Sequence, residues 1–242
     1  LTRLDMIISN IEISQFRNYS RFSTNLSPEL NWIHGSNGQG KTNLVEAIHY
    51  LCNLESFRTR KISPIIQKSK QEAMIKAQVD HRQVKKYVRI NISRKGRQVF
   101  IDNTTFNHVS EYILSYMALA FTPDSVGLFR NAPHDRRKFF NKIISFLEPI
   151  YFKNLHEYTK IIAQKNALLR NGNIDQIPIW NQMLARSAIK LMEKRKKFVD
   201  EINVYLNAFF MELTGRSEVL TLLYEPSFNF QEMDERKFFE IL

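Results

Sequence analysis

Residues Gly35-Ser36-Asn37-Gly38-Gln39-Gly40-Lys41-Thr42 fit the pattern G-x-x-x-x-G-K-[ST] without a gap, and no other stretch constrains the chain as tightly. The spacing has one well-understood physical use. Glycines let the backbone curl until successive N–H groups point inward at phosphate oxygens, and the following helix presents its positive end to the same anion. Lys41 is placed to reach β- and γ-phosphates, and the Thr42 hydroxyl to ligate Mg²⁺. The flanks agree. Leu30-Asn31-Trp32-Ile33-His34 reads as a strand running into the loop, and Leu44, Val45, Ile48 and Leu51 recur at helical intervals after it. The loop therefore predicts a site for a nucleoside triphosphate such as ATP, with its Mg²⁺.

Size and charge narrow the rest. A chain of 242 residues, 43% hydrophobic and 24% charged, is ordinary for a globular protein of one large α/β domain or two lobes. Lys and Arg number 35 against 24 Asp and Glu, a formal charge of +11. That excess points to a polyanionic partner, nucleic acid before membrane, because no apolar run reaches spanning length. A single cysteine, Cys52, excludes an intramolecular disulfide framework and a Cys-based zinc site. No secretory signal is visible, so a cytoplasmic location is expected. Met6 reads as a natural start, with residues 1–5 as a remnant.

Along the chain, Ile7, Ser9, Ile11 and Ile13 alternate as a strand, and Phe22, Thr24 and Leu26 repeat the pattern. Ala73, Ile75, Ala77 and Val79, then Val88, Ile90 and Ile92, then residues 99–101 predict an antiparallel meander over 73–106, turning at Arg94-Lys95-Gly96-Arg97 and Asp102-Asn103. Residues 116–121 read as a short buried strand. Beyond Pro123 the pattern turns helical over 134–147, 149–171 and 178–212, with Asp135 as the expected cap of the first. The division expected is a mixed parallel and antiparallel sheet lobe over 1–121, binding nucleotide, and a mostly helical lobe over 122–242. Lys194, Arg195, Lys196 and Lys197 form a charge run on the last helix, either a solvated face or a nucleic-acid contact. Arg136 and Arg137 open the first helix. Cations there oppose the helix dipole, so an anionic partner is expected, either a ligand such as DNA or nearby Asp135.

Several motifs carry a resemblance. The loop is of the G-x-N-G-x-G-K-T kind found in ATPase heads of the ABC and SMC group. Phe16-Arg17-Asn18-Tyr19, the run from Asn37 through Ile48, and Ser56-Phe57-Arg58-Thr59 together resemble the RecF family of bacterial recombination mediators. So do Phe121-Thr122-Pro123-Asp124, Pro133, Arg136-Arg137-Lys138-Phe139-Phe140, Tyr158, Gln164, Asn166 and Trp180. The resemblance implies an ABC/SMC-type P-loop head of the α/β class. It also implies an ATP-dependent DNA-binding protein of recombinational repair and replication-fork maintenance. Two heads would close about ATP as a homodimer on gapped DNA, at a single-strand/duplex junction, with RecR- and RecO-type mediator proteins as partners. Arg58 stands where SMC-type heads place an arginine toward the phosphates. Arg17 is either a contact to adenine or phosphate or an ordinary salt bridge.

The sequence departs from the family at Asn131, where Gly is usual, and at Asn141, where Asp is usual. Neither an apolar strand ending in an acidic pair nor a serine- and glycine-rich signature loop is found in residues 1–242; Ile143-Ile144-Ser145-Phe146-Leu147-Glu148 is the nearest run to the former. The family holds both elements further along, so the chain is expected to be an N-terminal portion that hydrolyses ATP negligibly by itself, whereas the longer protein would be a slow DNA-stimulated ATPase. The alternatives are an ABC transporter head, disfavoured by the absent glutamine near the lobe junction, and an SMC head, disfavoured by the lack of a sustained heptad repeat.

Overall fold

The structure, a computed structural model, describes residues 6–81, 84–127, 132–172 and 174–226. The expected remnant at residues 1–5 and the departure at Asn131 lie outside these. The chain forms two compact units, Leu1–Gly127 and Leu128–Leu242.

The first unit is built on a sheet of strands β1 (Met6–Phe16), β2 (Tyr19–Asn25), β3 (Glu72–His81), β4 (Val84–Ser93), β5 (Gly96–Ile101) and β6 (Thr104–Thr105), in the order β2-β1-β3-β4-β5-β6. Period-2 alternation sets its register. Ile13 faces Ile75, Ile75 faces Ile90, and Ile90 faces Val99, all with one face buried. Each such side chain is worth roughly 1.5–3 kcal/mol of burial. Helix α1 (Lys41–Asn53) joins this core through Leu44, Ala47 and Leu51. The meander turns where expected, and Asp102 and Asn103 both take positive φ, as a two-residue hairpin turn requires.

Three expectations change. Every ladder among the described residues is antiparallel, so the parallel component of the expected mixed sheet is not there. Residues 30–34 are not in a strand: they pair with none of the six strands of the sheet. Leu30 and Trp32 are consequently exposed, at 79% and 83%, while Ile33 packs on the core. Residues 116–121 are not a strand either. Helix α2 (Val109–Tyr116) stacks Tyr112 and Tyr116 on one buried face, four residues apart, and the Tyr112 hydroxyl donates to the Leu51 carbonyl at 2.5 Å. A short helix α3 (Pro123–Val126) follows.

The second unit contains α4 (Pro133–Leu147), α5 (Pro149–Arg170) and α6 (Ile177–Thr214). Proline in the first turn starts each of them, where a missing N–H costs nothing. Gly215, at φ 68°, closes α6. Ala132, not Asp135, stands at the N-cap of α4; Asp135 lies in its first turn, where its charge still complements the dipole. Ile144, Tyr151, Leu191, Phe198 and Val199 form the core. The run 143–148 belongs to the end of α4 and its cap, not to a strand. No helix among the described residues is long and apolar enough to cross a membrane.

Candidate nucleotide site

The loop of residues 35–40 ends directly at α1, whose N-cap is Gly40. Gly40 has φ 107°, and a Cβ there would lie 2.8 Å from Asn18 Nδ2 and 3.0 Å from the Tyr19 hydroxyl. The left-handed φ is what calls for glycine here, and the absent side chain leaves room for the ends of Asn18 and Tyr19. Gly35 and Gly38 also take positive φ, which lets the loop curl. The Lys41 ammonium donates to the Gly35 and Ser36 carbonyls, at 2.6 and 2.8 Å, so its charge is held over the loop. Asn37, Gln39 and Thr42 are exposed at the same place, Thr42 in the first turn of α1. A close backbone, a helix N-terminus, an ammonium and an exposed hydroxyl fit a phosphate chain and its divalent cation.

Behind the loop lies a polar network whose members stand in the sequence motifs but whose pairing only the fold reveals. Glu46, fully buried in α1, accepts from Arg17 Nε at 2.9 Å, Arg17 Nη2 at 2.5 Å, Ser56 Oγ at 2.5 Å and Arg58 Nη1 at 3.2 Å. Burial pushes its carboxyl pKa up. Hydrogen bonds from Arg17 and Ser56, with the charges of Arg17 and Arg58, outweigh that and leave it below the usual value. Arg17 also donates to the Pro64 carbonyl at 2.7 Å, and only 15% of its side chain is exposed. Its guanidinium is engaged inside the unit, acting on the loop through Glu46.

Arg58 is different. Its side chain is 44% exposed, and Nη1 also donates to Asn43 Oδ1 at 2.8 Å. Asn43 donates on to Asn18, and Tyr19 donates to the Gly40 carbonyl at 3.1 Å. The chain of contacts thus runs from the linker at 56–59 to the loop itself. The signal for it in the sequence is a glutamate at a helix position whose neighbours, Leu44 and Ala47, face the core. Arg17 and Arg58 also line a cleft of ≈ 560 Å³ with Lys68, Lys70 and Arg94. No carboxylate is among its described lining residues.

The second unit separates the other cations that the sequence offers. Lys194 donates to Glu148 at 2.6 Å, while Lys196 and Lys197 pair with Asp200 and Glu201 one turn along α6. Arg195 instead turns inward and donates to Asn141 and to the Tyr151 hydroxyl. Asn141, the family departure, is thus part of the packing around Arg195. Arg136 and Arg137 are the fourth and fifth residues of α4. Among the described residues no cluster of His, Cys, Asp or Glu could hold a metal.

The family described as RecF/RecN/SMC N terminal domain matches residues 7–124. The match covers just under half of the chain, and with the loop it likens the first unit to one class, the P-loop heads of the RecF/RecN/SMC type. Within that class the chain's similarity is to the N-terminal region of RecF, and it runs along nearly the whole chain. The DNA replication and repair protein RecF of Geobacter sulfurreducens is 30% identical over 90% of this chain and 60% of its own length. That of Clostridium perfringens is 29% identical over 90% and 62%. A solved structure of the recombination mediator protein RecF-ATP in the RecFOR pathway superposes with a TM-score of 0.83 at 21% identity, covering 99% of this chain and 67% of that one. A second, of RecF-ATPrS, gives 0.83 at 24% over 98% and 65%. At these identities the two structures establish the fold. The chain spans about three fifths of the length of the curated relatives it matches.

Proposed function

We propose that these residues form the nucleotide-binding head and helical unit of an ATP-switched DNA-binding protein, acting in recombinational repair and replication-fork maintenance. The observation that carries this reading is the Gly40–Lys41 junction, sterically closed on Asn18 and Tyr19, in a chain similar to RecF along nearly its whole length. The loop amides and Lys41 receive the β- and γ-phosphates of ATP, and the Thr42 hydroxyl ligates Mg²⁺. The ion supplies neutralisation of phosphate charge when bound. Arg58, half-exposed and shared between Asn43 and Glu46, is the cation able to turn toward phosphate; Arg17 anchors Glu46.

Two such heads join about ATP as a homodimer on gapped DNA at a single-strand/duplex junction. RecR- and RecO-type mediator proteins are its partners in loading a recombinase, in the cytoplasm. The names of the relatives and the RecFOR pathway of the structural neighbours support this reading. The DNA backbone runs over the cleft lined by Lys68, Lys70 and Arg94, which has no carboxylate among its described lining residues. Anisotropy of a labelled gapped duplex, titrated with and without ATP across a salt series, tests it. Binding should strengthen with ATP and weaken steeply with salt. A flat salt response would remove DNA from the partner list and favour a transporter-type head.

A further inference from the structure

Arg195 lies far along the chain from the adjacent Arg136 and Arg137, yet the second unit gathers all three around one cavity of ≈ 670 Å³. Its apolar lining combines aliphatic Ile144, Leu184, Leu191 and Met192 with the rings of Phe140, Tyr158, Phe198 and Tyr224. Arg195 is fixed there by Asn141 Oδ1, at 3.0 and 3.2 Å, and by the Tyr151 hydroxyl at 3.0 Å. Arg137 is exposed at the mouth. Glu225 is the one carboxylate among the described lining residues. The volume is that of a small-ligand or side-chain pocket.

An occupant must satisfy both halves of this arrangement. The apolar floor gains from burying an apolar group, at about 25 cal/mol per Å². The guanidinium forks match carboxylate or phosphate oxygens. A nucleic-acid backbone brings the anion without an apolar group to fill the floor. A base would need a ring face to stack on; Phe140 and Phe198 meet edge to face, with their planes at 62°, and stacking on Tyr158 or Tyr224 is the alternative that an oligonucleotide tests. We propose that this cavity docks a segment of a partner protein in which a large apolar side chain is flanked by carboxylates, the side chain filling the floor and a carboxylate meeting Arg137 at the mouth. This site is separate from the nucleotide loop, and it stands whether or not the DNA reading holds.

The test uses the full-length protein and a short fluorescein-labelled peptide of two leucines flanked by aspartates. A control peptide has serines in place of the leucines, and a labelled oligo-dT is run in parallel. The leucine peptide should bind at least tenfold tighter than the serine peptide. Arg137→Glu, at an exposed position, should weaken it tenfold or more, as should Ala188→Leu, which narrows the cavity from α6. The affinity for oligo-dT should stay within twofold in the Ala188 variant. Equal binding of the two peptides, or none of either, would overturn the proposal. So would a matching loss of oligo-dT binding in Ala188→Leu, which would make the cavity a base pocket.

Discussion

Arg17 grips the carboxylate of Glu46 with two hydrogen bonds, Nε to Oε2 at 2.9 Å and Nη2 to Oε1 at 2.5 Å, and that carboxylate is wholly buried. The pair ties the β1–β2 turn to the helix that begins at the phosphate loop. Because Arg17 and Ser56 satisfy most of the charge, the longer 3.2 Å contact from Arg58 is the expendable one. One arginine holds the scaffold, and the other is left available to a ligand.

Glu46→Ala should therefore destabilise the first unit by about 3 kcal/mol, since it strands a poorly exposed guanidinium. The Glu46 carboxyl is held below its ordinary pKa, so its contribution is present above the unfolded value and is lost as pH falls through the folded one. Urea unfolding of Glu46→Gln and the parent should differ clearly near neutral pH and converge in acid. A constant gap across pH would show that the charge of Glu46 contributes nothing.

Lys41→Ala should weaken ATP binding by about 30-fold, the equivalent of roughly 2 kcal/mol for a charged hydrogen-bonding group. Thr42→Val should matter only when Mg²⁺ is present. Gly40→Ala should weaken binding with or without the ion, because φ 107° is strained for alanine and its Cβ also crowds the side chains of Asn18 and Tyr19. Titration of a fluorescent ATP analogue, with and without chelator, separates the three. Unchanged affinity in the Lys41 variant would rule out the loop as the nucleotide site.

For DNA, Lys68→Glu with Lys70→Glu should lower the slope of log affinity against log salt by about two, close to one for each phosphate no longer neutralised. Lys194→Glu should leave the slope alone, since its ammonium is already on Glu148. The reverse pattern would move the DNA path from the sheet unit to the helical one.

Residues 1–242 assayed alone should release phosphate negligibly, even with DNA, because no acidic pair follows an apolar strand within them. They should also self-associate, and Trp32→Ser with Leu30→Ser should reduce it, because both side chains are exposed. Steady-state phosphate release and light scattering check the two halves. Turnover abolished by Lys41→Ala would reveal a catalytic carboxylate within this stretch.

Local pattern determined a good deal here by itself. Alternation at Ile11, Ile13, Ile75, Ile90 and Val99 marked the sheet core, because the period of a strand is two whatever its neighbours. Pro149, Gly172 and Pro178 marked the breaks between the helices, because ring closure and positive φ act on the residue itself. The glycines and Lys41 marked the loop for the same reason. Tertiary structure decided whatever depended on neighbours distant in sequence. Residues 30–34 carry a strand-like composition, yet a strand exists only where neighbouring backbone pairs with it, and none of the six described strands does. Tyr112 and Tyr116 required Leu51 and the sheet core to show that their spacing was helical. Four adjacent cations on α6 look alike in sequence. Only the positions of Glu148, Asn141 and Tyr151 turn Lys194 and Arg195 to different tasks, because a charge takes its role from the oxygen atoms that folding brings within about 3 Å.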